Sequence, residues 1–337
     1  MSIGTTTKIL FACGAAVVAS VAAPGAAVAC DVDRPVLFAG LDYGSAAFHT
    51  AVASYILREG YECDVDSLPG GTIPMQQGVV QGDLDIVMEV WTANPTQVWQ
   101  DGMAAGKTVQ LGTTFPDAVE GWWVPRFLVE GPDALAPGLK SVSDLPDYIE
   151  LFVDPEEPAK GRFYNCPAGW NCEVVNSKKL VAYGLDETFT NFRPGTGAAL
   201  AAAAEGAFLS EEPIVMYYWT PTWLMGKFDF VKLDEPTYDQ AVWDAMMAAD
   251  VPDAATEYPV TQVVIGANKA FSESAPTITA FLQAYGMSSA LTAEALAFMQ
   301  ETDASDEAAA LKFLRDHRDV WAAWVDEDVA AKVDATL

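Results

Sequence analysis

From Pro35 onward, short apolar runs alternate with stretches whose apolar residues recur at helical spacing. "PVLFAGLD" reads as a strand, and "SAAFHTAVASYILREG" as a helix with apolar residues at i, i+3 and i+4. "YECDVDSL" predicts a second strand, "IPMQQGVVQG" a short helix closed by Gly82, and "DLDIVMEVW" a third strand ending at Trp91. That rhythm predicts an α/β fold with much parallel sheet. "GWWVPRFLV" and "PVTQVVIGAN" read as two further strands, far apart in the chain. Between them lies a second set of signals: "IELFVD" and "PIVMYYW" as strands, and the Ala-rich "GAALAAAAEGAF" as a helix. After Asn268 the pattern is helical to the end. A domain interrupted by another, with the chain crossing twice between them, gives this order. No repeat of solenoid length is present.

The 337 residues, 51% of them hydrophobic, suffice for two domains with sizeable cores. Residues 1–29 read as a secretory signal: Lys8 is the positive end, "ILFACGAAVVASVAA" the apolar run, and Ala27-Val28-Ala29 the cleavage site. The run is too short and Ala-rich for a permanent anchor. Cys30 follows the cleavage site directly, but "AVAC" lacks the leucine that opens a lipobox, so lipidation is not expected. Export leaves Cys30, Cys63, Cys166 and Cys172, an even number in an oxidising compartment, where disulfides form. Cys166 with Cys172 is the local pair, leaving Cys30 with Cys63. A zinc site is not expected, because no cysteine pair has knuckle spacing and only His49 and His317 are available. The net charge of −29 argues against nucleic acid, whose phosphates require lysines and arginines.

Motifs for catalysis are weak. "GMAAGKT" is one residue short of a phosphate-binding loop, and "GTGAAL" has Leu200 where a dinucleotide fingerprint needs its third glycine. His49 lies within a helix, where a packed imidazole is the simpler reading, and no serine elbow or paired acid and base is evident. No catalytic residue and no cofactor is expected.

The aromatic residues carry more information. Trp91 ends one strand, Trp219 ends "PIVMYYW", Tyr43 follows the first strand, and Trp170 sits inside "NCPAGWNC". Ligands of open α/β sheets bind at the carboxyl ends of strands, so these rings are expected to meet in one cleft. Aromatic faces attract poorly hydrated cations such as quaternary ammonium groups, at roughly 0.5–2 kcal/mol per ring. Trp99, Trp243, Trp321 and Trp324 are expected in the core instead, and of Trp122 and Trp123 only one faces inward by strand alternation.

"DLDIVMEVWTANPTQVW", "NCPAGWNCE" and "PIVMYYWTPTW", in this order behind an export signal, resemble the glycine betaine/proline betaine substrate-binding proteins of ABC importers. The likeness runs from about Val36 to Asn268. It implies a periplasmic, two-lobed binding protein of type II-like topology with a helical C-terminus, monomeric and serving a membrane permease. Lobe 1 would comprise 30–125 with 262–337, and lobe 2 would be 126–261. The resemblance makes Trp91, Trp170 and Trp219 cage tryptophans and Tyr43 a fourth ring. It also places a ligand carboxylate on the backbone N–H groups of Asn171 and Cys172. Where some members have a histidine for that carboxylate, this chain has Asn94 and Pro95, or Thr222 and Trp223. Glu89 shares a strand face with Trp91, and Glu120 also lies beside aromatic residues. A buried glutamate at the cage favours choline or trimethylamine N-oxide over a carboxylated ligand. The expectation is therefore a glycine betaine-class onium solute, with those two as the alternative. A secreted enzyme on the same scaffold and an interaction module without a small ligand are the readings from other classes.

Overall fold

The protein is described by a computed structural model covering residues 1–4 and 30–337; the expected signal falls almost wholly outside the described residues. The apolar runs of β1 (Val36–Leu41) and β3 (Ile86–Trp91) are buried, β2 (Val65–Gly70) is largely exposed, and the three are connected by α1 (Gly44–Glu59) and α2 (Thr72–Gln81). Gly82 ends α2 at φ 85, a left-handed turn that glycine adopts without steric cost. A helix α3 (Gln97–Ala104) leads to β4 (Thr108–Pro125) and the turn α4 (Arg126–Val129). The second set follows: β5 (Gly161–Tyr164), α5 (Asn171–Ala182), β6 (Phe189–Phe192), α6 (Gly197–Leu209) and β7 (Val215–Thr220). It closes with α7 (Trp223–Lys227), β8 (Phe230–Lys232) and α8 (Gln240–Ala248). The chain then returns through β9 (Thr261–Asn268) into helices that run to Asp334.

The strand order is β2-β1-β3-β9-β4-β7-β5-β6, with β8 also on β4. β1 pairs parallel with β2 and β3, and β5 parallel with β6 and β7. The centre is antiparallel, because β9 re-enters between β3 and β4 and β7 meets β4 head to tail. The sheet is mixed, with less parallel pairing than the sequence rhythm suggests. β4 belongs to both halves: residues up to Ala118 pair with β9, and those from Val119 pair with β7 and β8.

Each half has its own apolar core. Phe38, Phe48, Ile56, Phe281, Phe313 and Trp321 pack in one, with the C-terminal helices folded back on α1. Trp122, Phe163, Phe189, Tyr217, Trp243 and Tyr258 pack in the other. Trp99, Trp243, Trp321 and Trp324 are buried, and of the adjacent pair Trp122 faces inward while Trp123 is half-exposed. His49 is packed in the first core, its Nδ1 2.7 Å from the Tyr285 hydroxyl and its Nε2 3.2 Å from Thr292 Oγ1. Desolvation there pushes the imidazole down to about 3, so the ring stays neutral.

Two expected strands are different in the structure. "IELFVD" belongs to a 3-10 segment, Val142–Leu151, followed by a single bridge from Val153 to Gly161. A capping box between Ser141 and Asp144 starts a helical turn there, and Pro146 cannot donate to a ladder. "GWWVPRFLV" is strand only to Pro125, after which Arg126–Val129 turn helical. Both expected disulfides, Cys30–Cys63 and Cys166–Cys172, are present.

Candidate functional site

The disulfide loop explains how a tryptophan reaches the junction between the halves. Cys166–Cys172 closes the loop across a sequence separation of 6. Gly169, at φ 93, turns the chain so that Trp170 becomes the extended residue before α5. Inside the loop's base, Asn165 Oδ1 accepts from Cys166 N at 2.6 Å and from Asn176 Nδ2 at 2.9 Å, tying the loop to the helix it precedes. Gly197, at the start of α6, leaves room for the indole, since a Cβ there would sit 2.7 Å from the ring edge.

Three further rings arrive from strand ends: Tyr43 immediately before α1, Trp91 as the last residue of β3, and Trp219 next to the end of β7. Ring centroids are 5.0 Å apart for Tyr43 and Trp170, 6.1 Å for Tyr43 and Trp219, and 5.5 Å for Trp170 and Trp219. All three pairs meet edge to face, the arrangement that quadrupoles favour. Together with Trp91 and Tyr217 they wall a cavity of ≈ 50 Å³. Thr72, Gln76, Asn94, Pro95, Thr96, Glu120, Asn171 and Cys172 complete the wall, and no lysine, arginine or histidine belongs to it. Asn171 and Cys172 open α5, so their N–H groups are among those a helix leaves without internal partners.

The two glutamates expected near the cage occupy different places. Glu120 is in the cavity wall, buried, accepting from Asn94 Nδ2 and from the Tyr217 hydroxyl, each at 2.6 Å. Burial pushes its carboxyl up to about 7, against the pull of those two donors and the charge of buried Lys179. Glu89 is fully buried but outside the wall, where its Oε2 accepts from Trp91 Nε1 at 3.2 Å. Burial raises it to about 7 as well, with Ser45, Trp91 and Tyr43 opposing.

Sequence reasoning passed over Tyr217, Thr72, Gln76 and Thr96 as members of this wall. Tyr217 had a signal, because it lies two residues before Trp219 on the same face of β7. Thr72 and Gln76 come from the start of α2 and Thr96 caps α3, positions that no periodicity marks as functional.

Other chemistry is scarce. Among the described residues no group of three or more His, Cys, Asp or Glu is placed to hold a metal ion, and no helix is long and apolar enough to cross a membrane. In the cavity wall the Tyr217 hydroxyl is bonded to Glu120, and no serine, free thiol or lysine lies beside a base there. The arrangement is suited to holding a small, partly cationic solute between rings.

Comparison with known proteins agrees with this chemistry. Residues 34–316 match OpuAC, the substrate-binding domain of ABC-type glycine betaine transport systems. The trimethylamine N-oxide-binding protein of Pelagibacter ubique is 23% identical over 316 residues, covering 93% of this chain and 98% of that protein. The glycine betaine-binding periplasmic protein OusX of Dickeya dadantii is 26% identical, covering 68% of this chain and 69% of that protein. Among solved structures, the glycine betaine, L-proline-binding protein ProX of Borrelia burgdorferi superposes with TM-score 0.71 at 18% identity. That alignment covers 89% of this chain and all of that one, a likeness of two-lobed fold.

Proposed function

The chain belongs to the OpuAC family of substrate-binding domains of ABC-type glycine betaine transport systems, and on that premise we propose that it captures a small methylated onium solute for a membrane permease. The observation that carries the proposal is a ring-walled cavity with a buried carboxyl and no cationic side chain. Rings attract an N-methylated head and fit its shape, whereas a hydrated ammonium or a bare anion gains little there. Trp91, Trp170, Trp219 and Tyr43 are the proposed cage. The protein is read as a monomeric binder, not an enzyme, exported by residues 1–29 to the periplasm. Its lobes are proposed to hinge where the chain crosses in β4 and again just before β9.

Size and charge narrow the ligand. A void of ≈ 50 Å³ holds only a few water-sized groups, at about 10–15 Å³ for each. Glu120 in the wall disfavours a second carboxylate and favours an oxygen that can accept its proton. Trimethylamine N-oxide meets both conditions: its methylated head faces the rings, and its oxygen accepts a hydrogen bond from protonated Glu120. A relative aligned over nearly its full length is a trimethylamine N-oxide-binding protein. The second reading is glycine betaine, favoured by the free N–H groups that open α5 at Asn171 and Cys172. Calorimetry with trimethylamine N-oxide, choline, glycine betaine and unmethylated glycine separates these. Tight binding of trimethylamine N-oxide with weak glycine betaine supports the first reading, and the reverse order supports the second. Equal binding of glycine and the methylated compounds defeats the cage.

A further inference from the structure

Two of the three tryptophans in the cavity wall donate their indole N–H to a carboxylate. Trp170 Nε1 donates to Asp42 Oδ1 at 2.7 Å, and Trp91 Nε1 to Glu89 Oε2 at 3.2 Å. The indole N–H of Trp219 has no partner among the described residues. Neither carboxylate is part of the cavity wall. Asp42 is exposed on a neighbouring open groove that Glu205 and Asp303 also line, and Glu89 is buried in the first half of the molecule.

A carboxylate that accepts an indole N–H raises the electron density of the ring, so the face it presents becomes more negative. The attraction of an onium head is to that face. Asp42 is exposed, so its influence reaches the ring through the hydrogen bond rather than through a field across the protein. Buried Glu89 acts across packed protein, where a field is less damped, in its ionised form. Building on the reading of the cavity as an onium cage, we infer that Asp42 through Trp170, and Glu89 through Trp91, set its preference for a charged head over a neutral one of the same shape, without touching the ligand. They are positioning and specificity-determining residues. Asp42 also anchors its ring in place: it follows β1, while Trp170 belongs to the loop of the opposite half, so the bond fixes the indole from across the junction. Asn in place of Asp42 keeps an acceptor for the indole and removes the charge.

The test uses matched pairs in which the onium nitrogen is replaced by carbon: trimethylamine N-oxide and tert-butanol, choline and 3,3-dimethyl-1-butanol, glycine betaine and 3,3-dimethylbutanoate. Affinities are measured on the full protein by calorimetry, with competition for weak members, for wild type, Asp42→Asn, Asp42→Ala and Asp303→Asn. Melting curves confirm that each variant is folded. Asp42→Asn is expected to lose about fivefold for the onium member of whichever pair binds, and less than twofold for its carbon counterpart. Asp42→Ala is expected to lose on both members, and Asp303→Asn, which removes a charge from the same groove, on neither. The inference is overturned if Asp42→Asn matches wild type on the onium, if it weakens both members alike, or if Asp303→Asn costs as much. Wild type that binds no onium, or prefers none to its carbon counterpart, removes the underlying cage reading and this inference with it.

Discussion

Glu120 ties the cavity's chemistry to pH. Its carboxyl is pushed up to about 7 from an ordinary 4.5, chiefly by burial. A carboxyl raised in the folded state binds its proton more tightly there than in the unfolded chain. Stability therefore falls as pH rises from about 4.5 through about 7, and the loss is complete above that window. The shift, 7 minus 4.5, corresponds to about 3 kcal/mol for this fully buried group. Glu89, also raised to about 7, acts in the same direction. Urea melts of the ligand-free protein at pH 5, 6, 7 and 8 should show a falling midpoint. Glu120→Gln, which holds no titrating proton, should remove about 3 kcal/mol of that decline. His49 acts the other way: its folded-state transition lies near 3, while the unfolded chain takes up a proton below about 6.5. Stability from this group therefore rises between about pH 5 and 6.5, and blunts the decline without cancelling the two glutamates. Ligands then divide by sign. Choline favours ionised Glu120, so its binding releases a proton and weakens about tenfold per unit below 7. Trimethylamine N-oxide requires the protonated form, so its affinity falls above 7. A Glu120→Gln stability profile parallel to wild type, or binding independent of pH between 5 and 8, would refute this account of the cavity.

Removing either ring of the Trp170–Trp219 pair as Ala should weaken onium binding about thirtyfold. Trp321→Ala should instead lower stability by about 3–5 kcal/mol with affinity per folded molecule unchanged; calorimetry and melting curves together check both. Gly197→Ala introduces a Cβ 2.7 Å from the Trp170 ring edge. It should weaken binding about fivefold through the displaced indole, read by calorimetry and tryptophan fluorescence. Lys179 forms a fully buried ion pair with Glu235 at 2.5 Å. Lys179→Met should therefore cost about 3–5 kcal/mol in urea melts, largely restored by adding Glu235→Gln. Replacing Cys166 and Cys172 together by Ser frees the loop from a constraint of about 2 kcal/mol, and should slow association in stopped-flow fluorescence.

Local pattern was legible where a local cause sets the structure. β1, α1 and β3 follow from short apolar runs and helical spacing, and Gly82 closes α2 because the turn needs positive φ. What failed depends on distant partners or on competing local bonds. No periodicity reveals that β9 inserts between β3 and β4, so the antiparallel centre of the sheet was hidden. Around Ser141 and Asp144, side-chain caps won over the apolar run that suggested a strand. In the candidate site, Trp91, Trp219 and Tyr43 were legible because strand ends are where such sheets present side chains. Gln76 and Thr72 were not, since they reach the cavity through the placement of α2. The separation of Glu89 from Glu120 was hidden too: strand alternation put Glu89 on the face of Trp91 but could not say that only the ring would reach the cavity wall.

The short loop of Cys166–Cys172 joins cage and closure in one element. Three hydrogen bonds tie it or its flank to the opposite half: Trp170 Nε1 to Asp42 at 2.7 Å, Asn171 Nδ2 to the Asn94 carbonyl at 2.6 Å, and Ile73 N to the Gly169 carbonyl at 3.0 Å. At a net worth of about 1 kcal/mol each, these bonds together favour the arrangement in which the halves meet by about 3 kcal/mol. On the proposed hinge motion, a ligand's contacts add to the same side of that balance. The disulfide matters in the same balance, because it orders the loop before closure rather than during it. Trp170 is both a wall of the cavity and the donor to Asp42, so filling the cavity and fastening the halves bear on the same side chain. A ligand that seats the indole correctly thus stabilises the closed form through a bond it does not itself make.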